Sequence, residues 1–220
     1  MNRENLRNSL LSGLPVMVYD FDGREEEVDM VFYAGSVSWK SVYMLRKEAG
    51  GLICYVTGKE EGAKLGLGLI TDELRSYQKY SRLVKRPVYG DEPAFAMWVN
   101  HMSTRTGISD EDRAKTILEL HKTVELLRKD ETSAKEKFFN EFMAPGHVPV
   151  LLSRGLEKRR GHTELTSSLM EYLGLERSVV IAEMLDERYS MKREKAENFA
   201  KSNGIPFITG KEILEVVRVA

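Results

Sequence analysis

Along the chain, short apolar runs of strand length alternate with stretches whose apolar residues recur every three or four positions. Residues 2–12 carry the helical period and stop at Gly13. LPVMVYD (14–20) and DMVFYA (29–34) are continuous apolar runs, which predicts two buried strands. Ser38 caps a predicted helix through about Ala49, stopped by Gly50-Gly51. LICYVT (52–57) reads as a strand, and GAKLGLGLI (62–70) as a helix weakened by glycine. Residues 71–93 are polar with little period, an excursion with some helix. AFAMWVNHM (94–102) alternates as a strand does. Ser109 and Asp112 stand at capping-box spacing and open a long helix along Ala114, Ile117, Leu118, Leu120, Val124 and Leu127. VPVLLS (148–153) predicts a strand, Thr163 to Gly174 a helix, and SVVIAEML (178–185) a strand. Ser190 caps a helix closed by Asn203-Gly204, before a short strand PFIT (206–209) and a last helix KEILEVV (211–217). Residues 130–146 receive no element and are too short for a domain linker.

Strands and helices interleave throughout, with a hairpin near the front. The expected fold is α+β: a single domain over residues 1–220, three layers, with a mixed twisted sheet covered by helices on both faces. With 220 residues and 42% of them hydrophobic, the chain can bury a real core. A net charge of -1 gives no global attraction for nucleic acid or an anionic membrane, and neither is expected as a partner. One cysteine, Cys54, excludes an internal disulfide framework and a multi-cysteine metal site. The N-terminus is polar and mixed in charge, unlike a signal peptide. No apolar run approaches the ~20 residues of a membrane span, so a cytoplasmic protein is expected.

Three stretches are candidates for chemistry. VYDFDGREEEVDMVF (18–32) packs six acids between two apolar runs, where a hairpin needs one Asp at most. Carboxylates at 25, 27 and 29 would share one side of an extended backbone. Such a set suits a hard divalent cation such as Mg²⁺, with Arg24 embedded beside it; a solvated loop that discourages edge pairing is the plainer reading. PGHVPVLLSRGLEKRRGHTE (145–164) holds two histidines, each directly after a glycine that would permit close approach. Its arginines, glycine, hydroxyl and helix start suit a phosphate, or else form a basic surface loop. TRTGISDEDRAKTI (104–117) is a capped helix start, with Thr106 placed to touch a phosphate. Glu183 ends an apolar strand, either at its exit or buried with a partner. His101 and His121 lack supporting neighbours and read as structural or surface residues.

The ordered set DGREEEVDMVF, GGLICYV, RTGISDEDRAKTI, PGHVPVLL, RRGHTE and VVIAEM resembles 3,4-dihydroxy-2-butanone 4-phosphate synthases, from about Leu14 to Ile213. The length fits the standalone form, without a fused GTP cyclohydrolase II part. The resemblance implies conversion of D-ribulose 5-phosphate to L-3,4-dihydroxy-2-butanone 4-phosphate and formate, in riboflavin biosynthesis. It implies Mg²⁺ or Mn²⁺, which would stabilise an enediolate as a Lewis acid, and a homodimer with shared active sites. Carried over by position, Glu25 and His162 would be metal ligands. Arg24, Glu25, Asp29 and Glu183 would meet the sugar, and Thr106, Arg159, Arg160, Gly161, His162 and Thr163 would hold the phosphate end. His147 and Glu183 would be the catalytic pair, with Glu27, Asp29 and Cys54 beside them. Which of Glu27, Asp29, His147 or Glu183 takes the first proton stays open. The chain departs from the common pattern at Gly23, Val28 and Ala182. Another metal-dependent sugar-phosphate isomerase or lyase is the alternative, and a nucleotide- or RNA-binding module, using Lys158 to Arg160, the more distant one.

Overall fold

The computed structural model describes residues 2–219. Seven strands form one sheet: β1 (Val16–Tyr19), β2 (Val28–Tyr33), β3 (Cys54–Gly58), β4 (Phe95–His101), β5 (Phe142–Ser153), β6 (Ser178–Glu183) and β7 (Phe207–Thr209). The helices are α1 (Arg3–Leu11), α2 (Trp39–Met44), α3 (Lys59–Lys64), α4 (Ile70–Ser76), α5 (Gln78–Ser81), α6 (Asp110–Leu127), α7 (Glu131–Glu141), α8 (His162–Tyr172), α9 (Arg193–Ser202) and α10 (Gly210–Val219). The strand order is β4-β5-β3-β6-β2-β1-β7. β1–β7 and β3–β5 pair in parallel; β1–β2, β2–β6, β3–β6 and β4–β5 pair antiparallel. The expected mixed sheet and front hairpin are present.

Two cores explain why the strands read as unbroken apolar runs. Met17, Met30, Phe32, Tyr55 and Val180 face one layer with Val42, Ile117, Leu120, Phe138 and Ala196. Their strand neighbours Val16, Val18, Val31, Val56 and Val179 face the other, with Leu6, Leu10, Leu165, Leu169 and Ile213. A central strand covered on both faces has no polar side to show. The three-layer expectation therefore holds.

Several elements differ from the sequence reading. The unassigned 130–146 contains α7, capped by Asp130, whose side chain accepts the Ser133 N–H at 3.0 Å, and the first residues of β5. Ala134 and Phe138, four apart, bury its inner face. The glycine-weakened helix splits into α3 and α4 around Gly66, whose φ of 82° is left-handed. The helix expected from Ser190 begins at Arg193; the Ser190 hydroxyl instead donates to Glu27. After α2 the chain widens into a π-helical turn, Leu45–Ala49, closed by the Gly50 N–H donating to the Leu45 carbonyl at 2.9 Å. Asp112 does not close a reciprocal capping box. Its carboxylate accepts N–H groups of Arg105, Thr106 and Gly107, tying the preceding turn to α6.

Candidate active site

The site starts from one buried carboxylate. Asp20 ends the apolar run of β1 and accepts the N–H of Glu25 and of Glu27, each at 3.1 Å, and an Arg24 N–H at 3.0 Å. These bonds pull the acidic loop into a tight turn. Gly23 and Glu26 take left-handed φ values of 79° and 57°. The loop is therefore not extended, and residues 25, 27 and 29 converge because it folds back, not because they alternate. Gly23, one of the departures from the common pattern, occupies a position that favours glycine.

Arg24 settles the charge. Its guanidinium lies 3.0 Å from Asp20, 2.6 Å from Glu25 and 3.0 Å from Asp91, and stacks on Tyr89 at 5.0 Å. It stands behind Glu25 and does not line the cleft. On the opposite wall, α8 begins at His162. The Nε2 of His162 is 3.2 Å from the Val18 carbonyl, while Nδ1 lies 3.6 Å from Glu25 and 3.5 Å from Asp29. Register supplies the next acid: Asp29 on β2 pairs with Glu183 on β6. The Leu52 N–H donates to Glu183 at 2.9 Å.

The result is a cleft of about 180 Å³ lined by Glu25, Glu27, Asp29, Cys54, Arg159, His162, Thr163 and Glu183, with Tyr89 and Pro93 at the side. Burial works against the Glu25 carboxylate, yet the hydrogen bond from His162 and the Arg24 charge hold it down at about 2. Asp29 goes the other way: burial, then Glu183, Glu25 and Glu27, push its carboxyl up against the pull of His162. Burial lowers His162, but Asp29, Glu25 and Asp20 outweigh it and raise the ring above its ordinary value. Glu183 is pushed up by burial and by Glu27. The Cys54 thiol is raised by burial, Glu183 and Asp29, so it lines the cleft as a thiol and not a thiolate.

Asp20, Glu25 and His162 form one set of metal-ligating atoms within 4.8 Å of one another, and one oxygen of Asp29 beside them is buried without a hydrogen-bond partner. A second such set, His101, Glu119 and Glu141, already holds a cation. The Lys137 ammonium bonds both Glu119 and Glu141.

The 3,4-dihydroxy-2-butanone 4-phosphate synthase family model matches residues 4–216. The chain belongs to this family. It is thus a lyase of riboflavin biosynthesis. The chain is 35% identical to the 3,4-dihydroxy-2-butanone 4-phosphate synthase of Methanosarcina acetivorans over 96% of its length and 90% of that one. It is 37% identical to that of Archaeoglobus fulgidus over 98% of this chain and 93% of the other. A solved synthase structure, described as a complex with two magnesium ions, superposes with a TM-score of 0.75 at 23% identity, covering 99% of this chain and 96% of that one.

Of the residues this family resemblance singled out, the fold brings together Glu25, Glu27, Asp29, Cys54, Arg159, His162, Thr163 and Glu183. Gly161 caps α8 against Arg159 and Arg24, whose guanidinium atoms lie 2.4 and 2.7 Å from where a side chain would begin. Arg160 is exposed beside it. Thr106 and His147 are not in the cleft. They sit together at the β4–β5 end of the sheet, both exposed and joined through Asn100. His101 and His121 are buried and structural, bonded to Ser103 and Ser178.

Sequence reasoning missed Asp20 as the organiser, although an acid ending an apolar strand four residues before an arginine was visible. It missed Tyr89 and Asp91, which lie in an aperiodic stretch. It also missed Glu164, fully buried on α8, which accepts from Arg159 at 2.6 Å and from the Arg154 N–H at 3.0 Å and so shapes the loop before His162.

Proposed function

We propose that the chain, acting as one domain in the cytoplasm, converts D-ribulose 5-phosphate to L-3,4-dihydroxy-2-butanone 4-phosphate and formate. The observation that carries this reading is the approach of Glu25 to His162, at 3.6 Å, in a cleft walled by three further carboxylates. The donor set fits a divalent cation, Mg²⁺ or Mn²⁺. Val18 accepts from His162 Nε2–H and thereby turns Nδ1 toward Glu25, the outer arrangement typical of a ligating histidine. The orphaned Asp29 oxygen adds a further acceptor. A structural relative described with two magnesium ions supports the same choice. When bound, the ion would supply Lewis-acid stabilisation of charge developing on the sugar's oxygens.

The chain's own groups divide the remaining work. Arg24 offsets the charge of Asp20 and Glu25 and fixes the Glu25 carboxylate toward the cleft. Asp29, its carboxyl raised, and Glu27 and Glu183 beside it are suited to take and return protons. Arg159, Arg160 and Thr163, with the N–H groups at the start of α8, suit the phosphate. Thr106 and His147 would complete the site from a second copy, making a homodimer with shared active sites. Cys54 would form an apolar wall against the sugar.

The test is carbon-13 NMR of labelled D-ribulose 5-phosphate with purified protein and Mg²⁺. Formate should appear, vanish on chelation, and fall at least ~100-fold in Glu25→Gln and His162→Asn. A product that keeps five carbons would favour an isomerase and reject the proposal.

A further inference from the structure

The two glycine–histidine pairs serve different purposes. At Gly161 the close neighbours are guanidinium groups; at Gly146 they are the backbone of β4. A side chain at 146 would begin 2.0 Å from the Val99 carbonyl carbon. Val99 pairs with Val148 and Asn100 with Met143, so residues 144–147 loop out of β5 opposite a single step of β4. Asn100 fills the gap this leaves. It is 5% exposed, and Gly107, at φ 86°, packs so closely that a side chain there would begin 2.0 Å from the Asn100 amide nitrogen.

Three contacts determine how that amide is turned. The His147 backbone N–H donates to Asn100 Oδ1 at 2.8 Å, and a backbone N–H can only donate. Oδ1 is therefore the end facing the backbone, and Nδ2 is the other end. Nδ2 lies 3.4 Å from the Thr106 carbonyl and 3.1 Å from His147 Nδ1. An amide nitrogen only donates, so Nδ1 must offer it a lone pair. A neutral imidazole has one bare nitrogen, so the proton sits on Nε2.

We infer that Asn100 is a positioning residue that holds neutral His147 in the Nε2–H tautomer, making it a hydrogen-bond donor in the reaction and not the base. This rests on the proposed function, in which His147 faces substrate. The ring's lone pair is occupied by Asn100 and its other nitrogen already carries a proton. Proton abstraction is thereby left to the carboxylates of the cleft.

Long-range proton–nitrogen NMR of the full chain labelled with ¹⁵N-histidine reads the tautomer directly, with the His147 signal assigned by its loss in His147→Gln. The expected pattern is Nε2–H in the wild type. Asn100→Asp presents a carboxylate oxygen to Nδ1 and should switch the ring to Nδ1–H; Asn100→Ala should give a mixture. Both should lower kcat for formate release by about 10–100-fold while KM stays within about twofold. Nδ1–H or a mixture in the wild type overturns the inference, as does wild-type kcat in either folded variant. If the wild type releases no formate, the functional reading falls, and the tautomer measurement still decides what Asn100 does. Asn100→Asp preserves shape, so it serves should Asn100→Ala fail to fold.

Discussion

Asp20 shows how one residue converts a crowd of like charges into a site. Its two oxygens take N–H groups from Glu25, Glu27 and Arg24, and the acids that follow are turned inward by those bonds. Asparagine has the same shape but only one acceptor. Asp20→Asn should cost roughly 2–3 kcal/mol, since hydrogen bonds to a buried charge are lost and a donor is left facing donors. The urea midpoint would read the loss, and unchanged stability would show that the loop is held by other means. Glu25 and His162 stood out as candidates in the sequence because both belong to ordered motifs, and the fold brings them within 3.6 Å of each other. The geometry behind this was not legible there. Alternation along an extended strand pointed to 25, 27 and 29, whereas the actual cause is the turn at Gly23 and Glu26. Backbone handedness at a non-glycine residue leaves no mark that a pattern of residue types can show.

Among elements, register does the placing. Asp29 faces Glu183 only because β2 and β6 pair as they do, and a one-residue slip would send Asp29 to the opposite face of the sheet. The sheet itself was readable, because continuous apolar runs mean coverage on both sides. α7 was not, since its polar face dominates ETSAKEKFFNE and only Ala134 and Phe138 turn inward. What fastens α7 is also hidden from local pattern. Lys137 reaches Glu119 of α6 at 3.3 Å, alongside Lys115 at 3.1 Å and Lys122 at 2.9 Å. Burial works against the Glu119 charge, but these lysines hold its carboxylate down at about 2, from an ordinary 4.5. A lowered value in the folded chain means stability that is complete above about pH 5 and lost as pH falls toward 2. Glu119→Gln should therefore weaken the fold by about 1–2 kcal/mol at neutral pH, with the difference shrinking in acid. Urea titrations of both proteins at pH 7 and pH 3 check this; an equal difference at the two pH values would contradict it.

At the scale of the whole molecule, the cleft and the His147–Asn100–Thr106 cluster lie apart on one chain. No helix among the described residues is long and apolar enough to cross a membrane. The family order of motifs gave both clusters to one reaction, but order along a sequence carries no information about which copy supplies each part. The fold separates them, and the proposed pairing of two copies reunites them. Co-expression of His162→Ala with His147→Ala tests this account most directly. Each variant alone should release no formate from D-ribulose 5-phosphate. Together, half the dimers should be mixed, and one of the two sites in each should be intact, returning about a quarter of wild-type activity. Full activity in His147→Ala alone, or a mixture as inert as its parents beside an active wild type, would contradict it.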